Sequence, residues 1–399
     1  MILNEHLYYV GVNDRLKHRF EGLWPLPLGV SYNAYLIDDE QTALVDTVDA
    51  GCFEQLLSNI RAVLGDRPLD YLVINHMEPD HSGSIALLRA RYPRLRIVGN
   101  KKTLEMVGGY YGSAGDAPLT VTDGDVLSLG RHTLRFYLTP MVHWPETMMT
   151  YEETTATLFS GDAFGAFGAL NGGVVDARIY TPPYFDEMVR YYADIVGKYG
   201  VPVQAALKKL SGLDVRMICS THGPVWTCQA PDVVALYDRL SRYEAEDGVV
   251  VAYGSMYGNT ARMAEAVAAA LSEAGVRRIA MHDLSRSHLS YVLADVFRLR
   301  GLILGAPTYN GGLYPPMQAL VEALVERGLK NRLTGCFGSY TWAGKAAGRL
   351  GEFIVRSGFE AVASPVEMKQ GFNASALSAC TALGRAMAAR LAGGCGVSE

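Results

Sequence analysis

Two histidines and two acidic residues fall within six residues of this chain, directly after an apolar run. The segment is His76-Met77-Glu78-Pro79-Asp80-His81, and the apolar residues 71–74 precede it. The apolar run predicts a buried strand, so the four side chains leave the end of that strand on a loop. Imidazole and carboxylate groups together form a harder metal site than the thiolate or all-imidazole sites typical of structural zinc. The fold must therefore bring further ligands to the end of this strand.

Length, charge and cysteine usage narrow the class of protein. A chain of 399 residues is long enough for two domains, each with its own hydrophobic core. A net charge of −5 gives no reason to expect nucleic acid or an anionic membrane surface as a partner. No secretory signal and no apolar run of membrane-spanning length is visible. The cysteines form no C-x-x-C pair, so we expect a reducing, cytoplasmic location without disulfides; they are Cys52, Cys219, Cys228, Cys336, Cys380 and Cys395.

The two halves of the chain differ in their pattern of strands and helices. Up to about residue 245, short strands alternate with turns and with occasional helices. From about residue 248, apolar strands alternate regularly with amphipathic helices, which predicts a parallel sheet covered by helices on both faces. The polar stretch 243–248 separates the two patterns. We therefore predict a first domain over residues 1–246 and a second domain over residues 247–399.

Three further side chains in the first half match the chemistry of the opening loop. His143, Asp162 and His222 each follow a predicted strand at a turn. Taken singly, each has an ordinary explanation, because Asp favours turns and a lone His at a strand end is usually structural. Together with the loop they are too many ligands for one tetrahedral ion and enough for two ions that share a bridge. The candidate metal-binding and catalytic residues are His76, Glu78, Asp80, His81, His143, Asp162 and His222.

The second half contains a candidate cradle for a phosphate and a planar ring. Residues 255–260 follow the first strand and open a helix, where backbone N–H groups and the helix dipole favour an anion. The segment lacks the Lys of a nucleoside-triphosphate loop, which favours a monophosphate, although a simple N-capped helix would also explain it. Glycine-rich loops with aromatic residues, 305–312 and 338–344, follow later strands at the same sheet edge. Three such loops in order favour a ligand site over a plain helix cap.

Both halves resemble known folds. Residues 76–81 resemble the signature His-x-His-x-Asp-His of the metallo-β-lactamase fold, an αββα sandwich, with Glu78 in place of the second His. Residues 248–392 resemble flavodoxin, a doubly wound parallel sheet that binds FMN. The combination is similar to the flavodiiron proteins, also called A-type flavoproteins, which implies a chain of mixed α/β and α+β class. Because an oxygen-rich ligand set stabilises Fe(III) as well as Fe(II), Glu78 favours iron over zinc and electron transfer over hydrolysis.

The family implies an oxidoreductase that reduces dioxygen to water, nitric oxide to nitrous oxide, or both, at a non-haem diiron site. One iron would be held by His76, Glu78 and His143. The other would be held by Asp80, His81 and His222, with Asp162 bridging. In this resemblance His81 is the ligand most open to replacement by water.

FMN is the cofactor that the resemblance implies for the second half. Tyr309 and Trp342 are the expected neighbours of its ring. The full set of expected FMN contacts is Ser255, Met256, Tyr257, Gly258, Asn259, Thr260, Pro307, Thr308, Tyr309, Asn310, Gly311, Gly312, Ser339, Tyr340, Thr341, Trp342 and Gly344.

Partners follow from the same resemblance. Without paired C-x-x-C motifs in the chain, we expect an external electron donor such as a rubredoxin or a reductase. A head-to-tail homodimer, or a dimer of dimers, is implied. Tyr191 or Tyr192 is a candidate proton donor, although helix packing is the better explanation for either residue alone. Two alternatives stay open from the residues alone: a zinc-dependent hydrolase that carries a flavodoxin domain, and a non-enzymatic flavin electron carrier. The ligand set does not encode a preference between O2 and NO.

Overall fold

The structure is a computed structural model and describes residues 1–393. The chain forms two compact units, Met1–Ser241 and the residues from Arg242 onward. The predicted boundary after residue 246 lies slightly later, where the first strand of the second unit has already begun at Glu246. Cys395 lies outside the described residues. Within residues 1–393, no helix combines the length and apolar character needed to cross a membrane.

The first unit is built from short strands and seven labelled α-helices within its described residues. The strands are β1 (Ile2–Asn4), β2 (Leu7–Tyr9), β3 (Val12–Asp14), β4 (Arg19–Phe20), β5 (Trp24–Pro25), β6 (Val30–Tyr32), β7 (Tyr35–Ile37), β8 (Ala43–Val45), β9 (Tyr71–Val73), β10 (Arg96–Gly99), β11 (Leu119–Thr120), β12 (Val126–Ser128), β13 (Thr133–Leu138), β14 (Met148–Glu152), β15 (Thr157–Gly161) and β16 (Met217–Ser220). The helices are α1 (Phe53–Leu64), α2 (Pro79–Ser82), α3 (Ile85–Arg91), α4 (Lys101–Tyr111), α5 (Pro182–Tyr191), α6 (Gly200–Leu210) and α7 (Ala230–Ser241). A π-helical segment, Tyr192–Val196, follows α5, and short 3₁₀ turns lie at Ala50–Cys52, Asp176–Arg178 and Gly197–Tyr199.

Two mixed sheets form the core of the first unit. The first has the strand order β1-β2-β7-β8-β9-β10-β11, and the second has the order β12-β13-β14-β15-β16. The central strands β7, β8, β14 and β15 are buried along their whole length, as strands covered on both faces are. The sheets meet where the ring of Tyr35 on β7 packs on Phe159 of β15, with ring centroids 5.4 Å apart. The predicted metallo-β-lactamase-like sandwich is confirmed.

Helix α1 illustrates how the local sequence sets an element of this unit. Its buried residues Leu56, Leu57, Ile60 and Leu64 recur at helical spacing and form one apolar face. Gly65 ends the helix with φ +59°, a left-handed conformation that favours glycine. The strand-to-strand connection through α1 delivers the chain to β9, which precedes the candidate ligand segment.

The second unit is a parallel sheet with helices between its strands. Its strands are β17 (Glu246–Tyr253), β18 (Ile279–Asp283), β19 (Leu299–Tyr309), β20 (Gly312–Leu313), β21 (Leu333–Tyr340), β22 (Glu360–Ala361) and β23 (Val366–Lys369). Its helices are α8 (Asn259–Glu273), α9 (Leu289–Arg298), α10 (Pro315–Glu326), α11 (Ala346–Ser357) and α12 (Ala374–Gly393). The order β18-β17-β19-β21-β22, with β23 also beside β21, is that of a flavodoxin-like doubly wound sheet, as predicted.

Alternation along the central strands builds the core of this unit. Val249 and Val251 on β17 and Ile303 on β19 pack against helices α8 and α12, whose Val267 and Met387 lie in the same cluster. Strands β19 and β21 continue further than the sequence predicts, to Tyr309 and Tyr340. The reason is backbone pairing, because β19 pairs with β21 as far as Pro307 and then with the short strand β20. Several expected loop residues therefore lie on strand ends.

Candidate metal centre and flavin site

The candidate metal ligands lie after the carboxyl ends of four strands. Strand β9 is followed by the segment that carries His76 and Glu78, and α2 carries the next two ligands. Strands β13, β15 and β16 are followed, in this order, by His143, Asp162 and His222. Residues 79–82 form a short helix where a loop was expected, because Pro79 takes the first helical position, where its missing N–H costs no hydrogen bond.

These side chains converge in two adjacent clusters. One cluster consists of His76, Glu78, His143 and Asp162, and the other of Asp80, His81 and His222. Within each cluster the ligand atoms lie within 4.8 Å of one another. Six of the seven residues are buried, and the side chain of Asp80 is 11% exposed. The structure thus brings together every side chain that the sequence proposes as a ligand.

The carboxylate of Asp162 lies between the two clusters. Its Oδ2 is 3.1 Å from Nε2 of His143 and 3.4 Å from Nε2 of His76. Its Oδ1 is 3.1 Å from Nε2 of His81 and 3.9 Å from Nε2 of His222. A carboxylate with one oxygen toward each cluster has the arrangement that a bridge between two ions requires.

Charge in the clusters favours cations. Burial alone would lower the pKa of His81, but Asp80 and Asp162 outweigh it and raise that pKa to about 9. Burial likewise opposes the charged form of His143, yet Asp162 and Glu78 raise its pKa to about 9. Burial would raise the pKa of Asp162, whereas the neighbouring imidazoles hold it well below the usual value. Without metal the carboxylates are therefore compensated by protons on histidine, which metal ions would displace.

Outer partners fix two of the imidazoles. Nδ1 of His76 lies 2.9 Å from Oε1 of Glu146, which also accepts a hydrogen bond from the backbone N–H of Met77 at 2.9 Å. Nδ1 of His222 lies 2.8 Å from the carbonyl oxygen of Ser31. Such contacts fix the ring orientation and leave Nε2 free for a metal. Glu146 lies three residues after the candidate ligand His143, in the segment His143-Trp144-Pro145-Glu146. Nothing in the sequence singles out Ser31.

An aromatic wall covers the side of His222. The ring of Phe20 on β4 packs edge-on at 5.2 Å between centroids, and that of Tyr191 lies at 5.5 Å. Tyr191 is fully buried, and burial raises the pKa of its phenol well above the usual value. It therefore keeps its proton, which suits a hydrogen-bond donor rather than an acid. Tyr192 packs on Tyr237 at 5.1 Å instead, in keeping with a packing role.

Glu21 is a further acidic group that the sequence did not suggest. It lies at the turn between β4 and β5 with φ +51°, and its carboxylate accepts a hydrogen bond of 3.1 Å from the indole of Trp24. Partial burial and the neighbouring Glu78 carboxylate raise the pKa of Glu21 to about 7. A third carboxyl group thus stands beside the first cluster.

The second unit has a cavity of about 410 Å³ at the carboxyl edge of its sheet. Exposed aromatic side chains flank it: Tyr257 is 90% exposed, Trp342 89% and Tyr309 41%. Thirteen of the expected contact residues line the cavity, namely Met256, Tyr257, Asn259, Thr260, Pro307, Thr308, Tyr309, Asn310, Gly311, Ser339, Tyr340, Thr341 and Trp342. Ser255, Gly258, Gly312 and Gly344 are not in its lining, whereas Ala343 and Gln370, which the sequence did not suggest, are.

The segment before α8 is shaped to receive an anion. Gly258 precedes the helix with φ +86°, a left-handed conformation that glycine adopts without strain. The hydroxyl of Ser255 accepts hydrogen bonds from the backbone N–H of Gly258 and of Ala261, at 3.1 and 3.3 Å. Thr260 and Ser339 share a hydrogen bond of 2.8 Å between their hydroxyls, which ties the first loop to the end of β21. Hydroxyls, helix N–H groups and exposed aromatic rings together fit a flavin mononucleotide.

The residues present also fit a pair of metal ions. Both oxygens of Asp80 are buried and make no hydrogen bond within residues 1–393, although Oδ2 lies 3.2 and 3.3 Å from Nε2 of His81 and His222. A metal ion would satisfy such unpaired oxygens. The carboxylate-rich donor set suits iron, as the position of Glu78 predicts.

Comparison with known proteins gives the family. Residues 30–223 match the model of the ODP family beta lactamase, and residues 251–384 match flavodoxin. The chain is 32% identical over 393 residues to the anaerobic nitric oxide reductase flavorubredoxin of Escherichia coli, across 97% of this chain and 82% of that protein. Rubredoxin oxygen:oxidoreductase from Desulfovibrio gigas matches with a TM-score of 0.95 and 28% identity, covering 100% of both chains. The flavodiiron protein of Giardia intestinalis matches with a TM-score of 0.93 and 26% identity, over 98% of this chain and 96% of that one.

These relatives are oxidoreductases, and they support that reading over the hydrolase and electron-carrier alternatives. The likeness covers both units, so the flavin and metal sites belong to one enzyme. The chain belongs to the flavodiiron protein family of oxidoreductases, whose cofactors are FMN and a diiron centre.

Proposed function

We propose that this enzyme reduces nitric oxide to nitrous oxide, dioxygen to water, or both, at a diiron centre in its first unit, with electrons delivered through FMN. The observation that carries the proposal is the pair of adjacent ligand clusters joined by Asp162. The E. coli relative, a nitric oxide reductase, supports nitric oxide as a substrate of this chain. The D. gigas relative, a rubredoxin oxygen:oxidoreductase, supports dioxygen. Reduction of nitric oxide to nitrous oxide joins two NO molecules, and two neighbouring metals with open positions could hold both.

The proposed metal assignment follows the two clusters. His76, Glu78 and His143 would hold one iron, and Asp80, His81 and His222 the other, with one oxygen of Asp162 toward each. Two irons bound there would supply Lewis acidity and electrons to the substrate, and FMN would restore those electrons. Each iron would have two imidazoles, one carboxylate of its own cluster and the shared Asp162 as protein ligands, which would leave positions for a diatomic substrate.

The side chains of this chain prepare that chemistry in three ways. Glu146 holds His76 so that Nε2 faces the cluster. Phe20 and Tyr191 pack on His222 and keep water from that side. Glu21, an exposed carboxyl group beside Glu78, would offer a route for the protons that the reaction consumes.

The proposed flavin contacts are the residues that line the second-unit cavity, together with Ser255, which is outside that lining and hydrogen-bonds to the backbone at the start of α8. Ser255 and Thr260 would contact the phosphate, and Tyr309 and Trp342 would flank the ring. We further propose a rubredoxin or a reductase as the electron donor, and a head-to-tail homodimer or a dimer of dimers as the assembly. Sedimentation of the purified protein and reduction assays with candidate donors test these two points.

Anaerobic stopped-flow of the fully reduced protein tests the proposed function. The reduced sample is mixed with O2 and, separately, with NO, and iron, zinc and FMN are quantified on the same preparation. We expect about two irons and one flavin per chain, and flavin reoxidation by at least one of the two gases. Zinc in place of iron would refute the diiron centre, and a loaded protein that consumed neither gas would refute the reductase.

A further inference from the structure

The two oxygens of the Asp162 carboxylate have different surroundings. Oδ2 faces the cluster of His76, Glu78 and His143, and Oδ1 faces the cluster of Asp80, His81 and His222. The hydroxyl of Thr221 donates a hydrogen bond of 2.5 Å to Oδ1. Among the described residues, no hydroxyl or backbone N–H makes a hydrogen bond to Oδ2. The bridge is therefore chemically asymmetric before any ion binds.

Thr221 is placed firmly for this contact. It is 1% exposed, and its backbone N–H donates to the carbonyl oxygen of Gly161 at 2.9 Å, directly before Asp162. Its neighbours along the chain are anchored as well, since the side-chain amide of Asn33 donates to the carbonyl oxygens of Ser220 and Gly223 at 2.8 and 2.9 Å. The hydrogen bonds of Thr221 and of the residues on either side of it thus hold its hydroxyl close to Oδ1 of Asp162.

The hydrogen-bond partners of the histidines also differ between the two clusters, and this difference again makes the ligands of Asp80, His81 and His222 the weaker electron donors. His76 faces a carboxylate through Nδ1, which increases the electron-donating power of the imidazole. His222 has only a neutral carbonyl oxygen, and Nδ1 of His81 is buried with no hydrogen-bond partner within residues 1–393. A hydrogen bond to Oδ1 also withdraws electron density from that oxygen. Each contrast leaves the cluster of Asp80, His81 and His222 with the weaker donors.

Weaker donors stabilise Fe(II) relative to Fe(III), and hydrogen bonding to ligands is a recognised means of setting a metal potential. We propose that Thr221 is a positioning residue that makes the two irons unequal, so that the iron at Asp80, His81 and His222 is reduced first. One electron, from reduced FMN in the proposed reaction or from dithionite in a titration, would convert that ferric ion to ferrous, and a second electron would then reduce its neighbour. The inference rests on the diiron centre proposed above.

Redox titration of three variants tests the inference. Thr221→Val removes the hydroxyl while keeping a branched side chain, and Thr221→Ser keeps the hydroxyl. Thr150→Val is the matched control, because Thr150 is also fully buried in this unit and donates to Asn75 instead of a ligand. Iron content is measured first, and the mixed-valent Fe(II)Fe(III) signal is then followed by electron paramagnetic resonance during stepwise reduction with dithionite.

We expect Thr221→Val to lower the first midpoint potential and to leave the second in place. The range over which the mixed-valent signal persists should therefore narrow. Thr221→Ser and Thr150→Val should behave as the parent protein. Unchanged midpoints in an iron-replete Thr221→Val protein, or a shift of the second midpoint alone, would overturn the inference.

Glu146→Gln is a second variant, for use if Thr221→Val fails to fold or to retain iron, and it alters the surroundings of the other iron. Glu146→Gln weakens the partner of His76, so the second midpoint should rise more than the first. A larger rise of the first midpoint would contradict the assignment. A parent protein with no iron pair would overturn the proposed function and the inference together, whereas an iron pair with unmoved midpoints overturns the inference alone.

Discussion

Replacing Glu146 tests how far a buried carboxylate outside the ligand set controls the metal site. The side chain is 1% exposed, and its Oε1 receives hydrogen bonds from Nδ1 of His76 and the backbone N–H of Met77, both at 2.9 Å. Burial would raise the pKa of Glu146, but the hydrogen bond and charge of His76 hold it below its usual value. The carboxylate is therefore charged at neutral pH and pairs with the ring it orients.

The expected magnitudes follow from those two contacts. Loss of such an outer partner usually weakens metal binding about 10- to 100-fold, which corresponds to about 1.4 to 2.8 kcal/mol. Glu146→Ala also leaves two buried donors unpaired, and each hydrogen bond to a charged group contributes about 1.5 to 3 kcal/mol. The iron-free protein should thus lose about 3 to 6 kcal/mol of unfolding free energy. Glu146→Gln should lose less, because its amide oxygen can still accept both hydrogen bonds.

Two measurements separate the effects. Iron affinity is measured by competition with a chelator, and the unfolding free energy of the iron-free first unit by urea denaturation. Glu153→Ala is the control, because Glu153 pairs with Arg135 at 2.6 Å with both side chains more than one-third exposed, and such a surface pair contributes at most about 1 kcal/mol. Iron affinity within twofold of the parent in folded Glu146→Ala would refute the role of this carboxylate.

The remaining predictions concern five single side chains. Asp162→Ala should lose iron and keep FMN, and Thr260→Val should show the reverse; equal loss of both cofactors in either variant would indicate unfolding instead. Arg332 is 2% exposed and donates hydrogen bonds to the carbonyl oxygens of Val296, Phe297 and Tyr243, among others. Arg332→Met should therefore lower the unfolding free energy of the second unit by about 2 to 4 kcal/mol in urea denaturation. A loss below about 1 kcal/mol would contradict this role. Tyr191→Phe should leave the unfolding free energy of the iron-free protein unchanged or raise it, because the hydroxyl has no hydrogen-bond partner within residues 1–393. A lower unfolding free energy in urea denaturation would contradict this and would show that the hydroxyl has a partner. Cys228 is exposed and should be the first of the described thiols to be alkylated at pH 8. Burial makes the other thiols less reactive; for example, it raises the pKa of Cys336 to about 12. Peptide mapping after partial alkylation checks the order.

The candidate metal ligands could be proposed from the sequence because they follow a short-range pattern. An apolar run followed by His and carboxylate residues places ligands at a strand end, and each later ligand repeats that pattern singly. The two folds were also within reach, since regular strand-helix alternation after residue 248 predicts a parallel sheet. The exact ends of β19 and β21 could not be predicted from the sequence, because they depend on which neighbouring strand continues the backbone pairing.

The groups that support the ligands were out of reach for a different reason. Ser31 contributes a backbone carbonyl to His222, and any residue type could supply it. Nothing in the sequence singles out Thr221 as a partner of Asp162, and Glu21 reaches Glu78 from the short hairpin of β4 and β5. These contacts join segments far apart in the chain, so no local spacing marks them.

Glu78 shows how one such position changes the chemistry of the whole centre. Its Oε2 lies 3.3 Å from Nε2 of His76 and 3.2 Å from Nε2 of His143, so it occupies the ligand position of a third imidazole in that cluster. With Glu there, three carboxylates would face a bound pair of ions instead of two. The additional negative charge would stabilise a ferric ion more than a ferrous ion, and most strongly at the nearer ion, because Coulomb attraction grows with the charge of the metal and falls with distance. Glu78 should therefore lower the potential of an iron beside His76 and His143 more than that of the other iron, which acts in the same direction as the asymmetry proposed for Thr221.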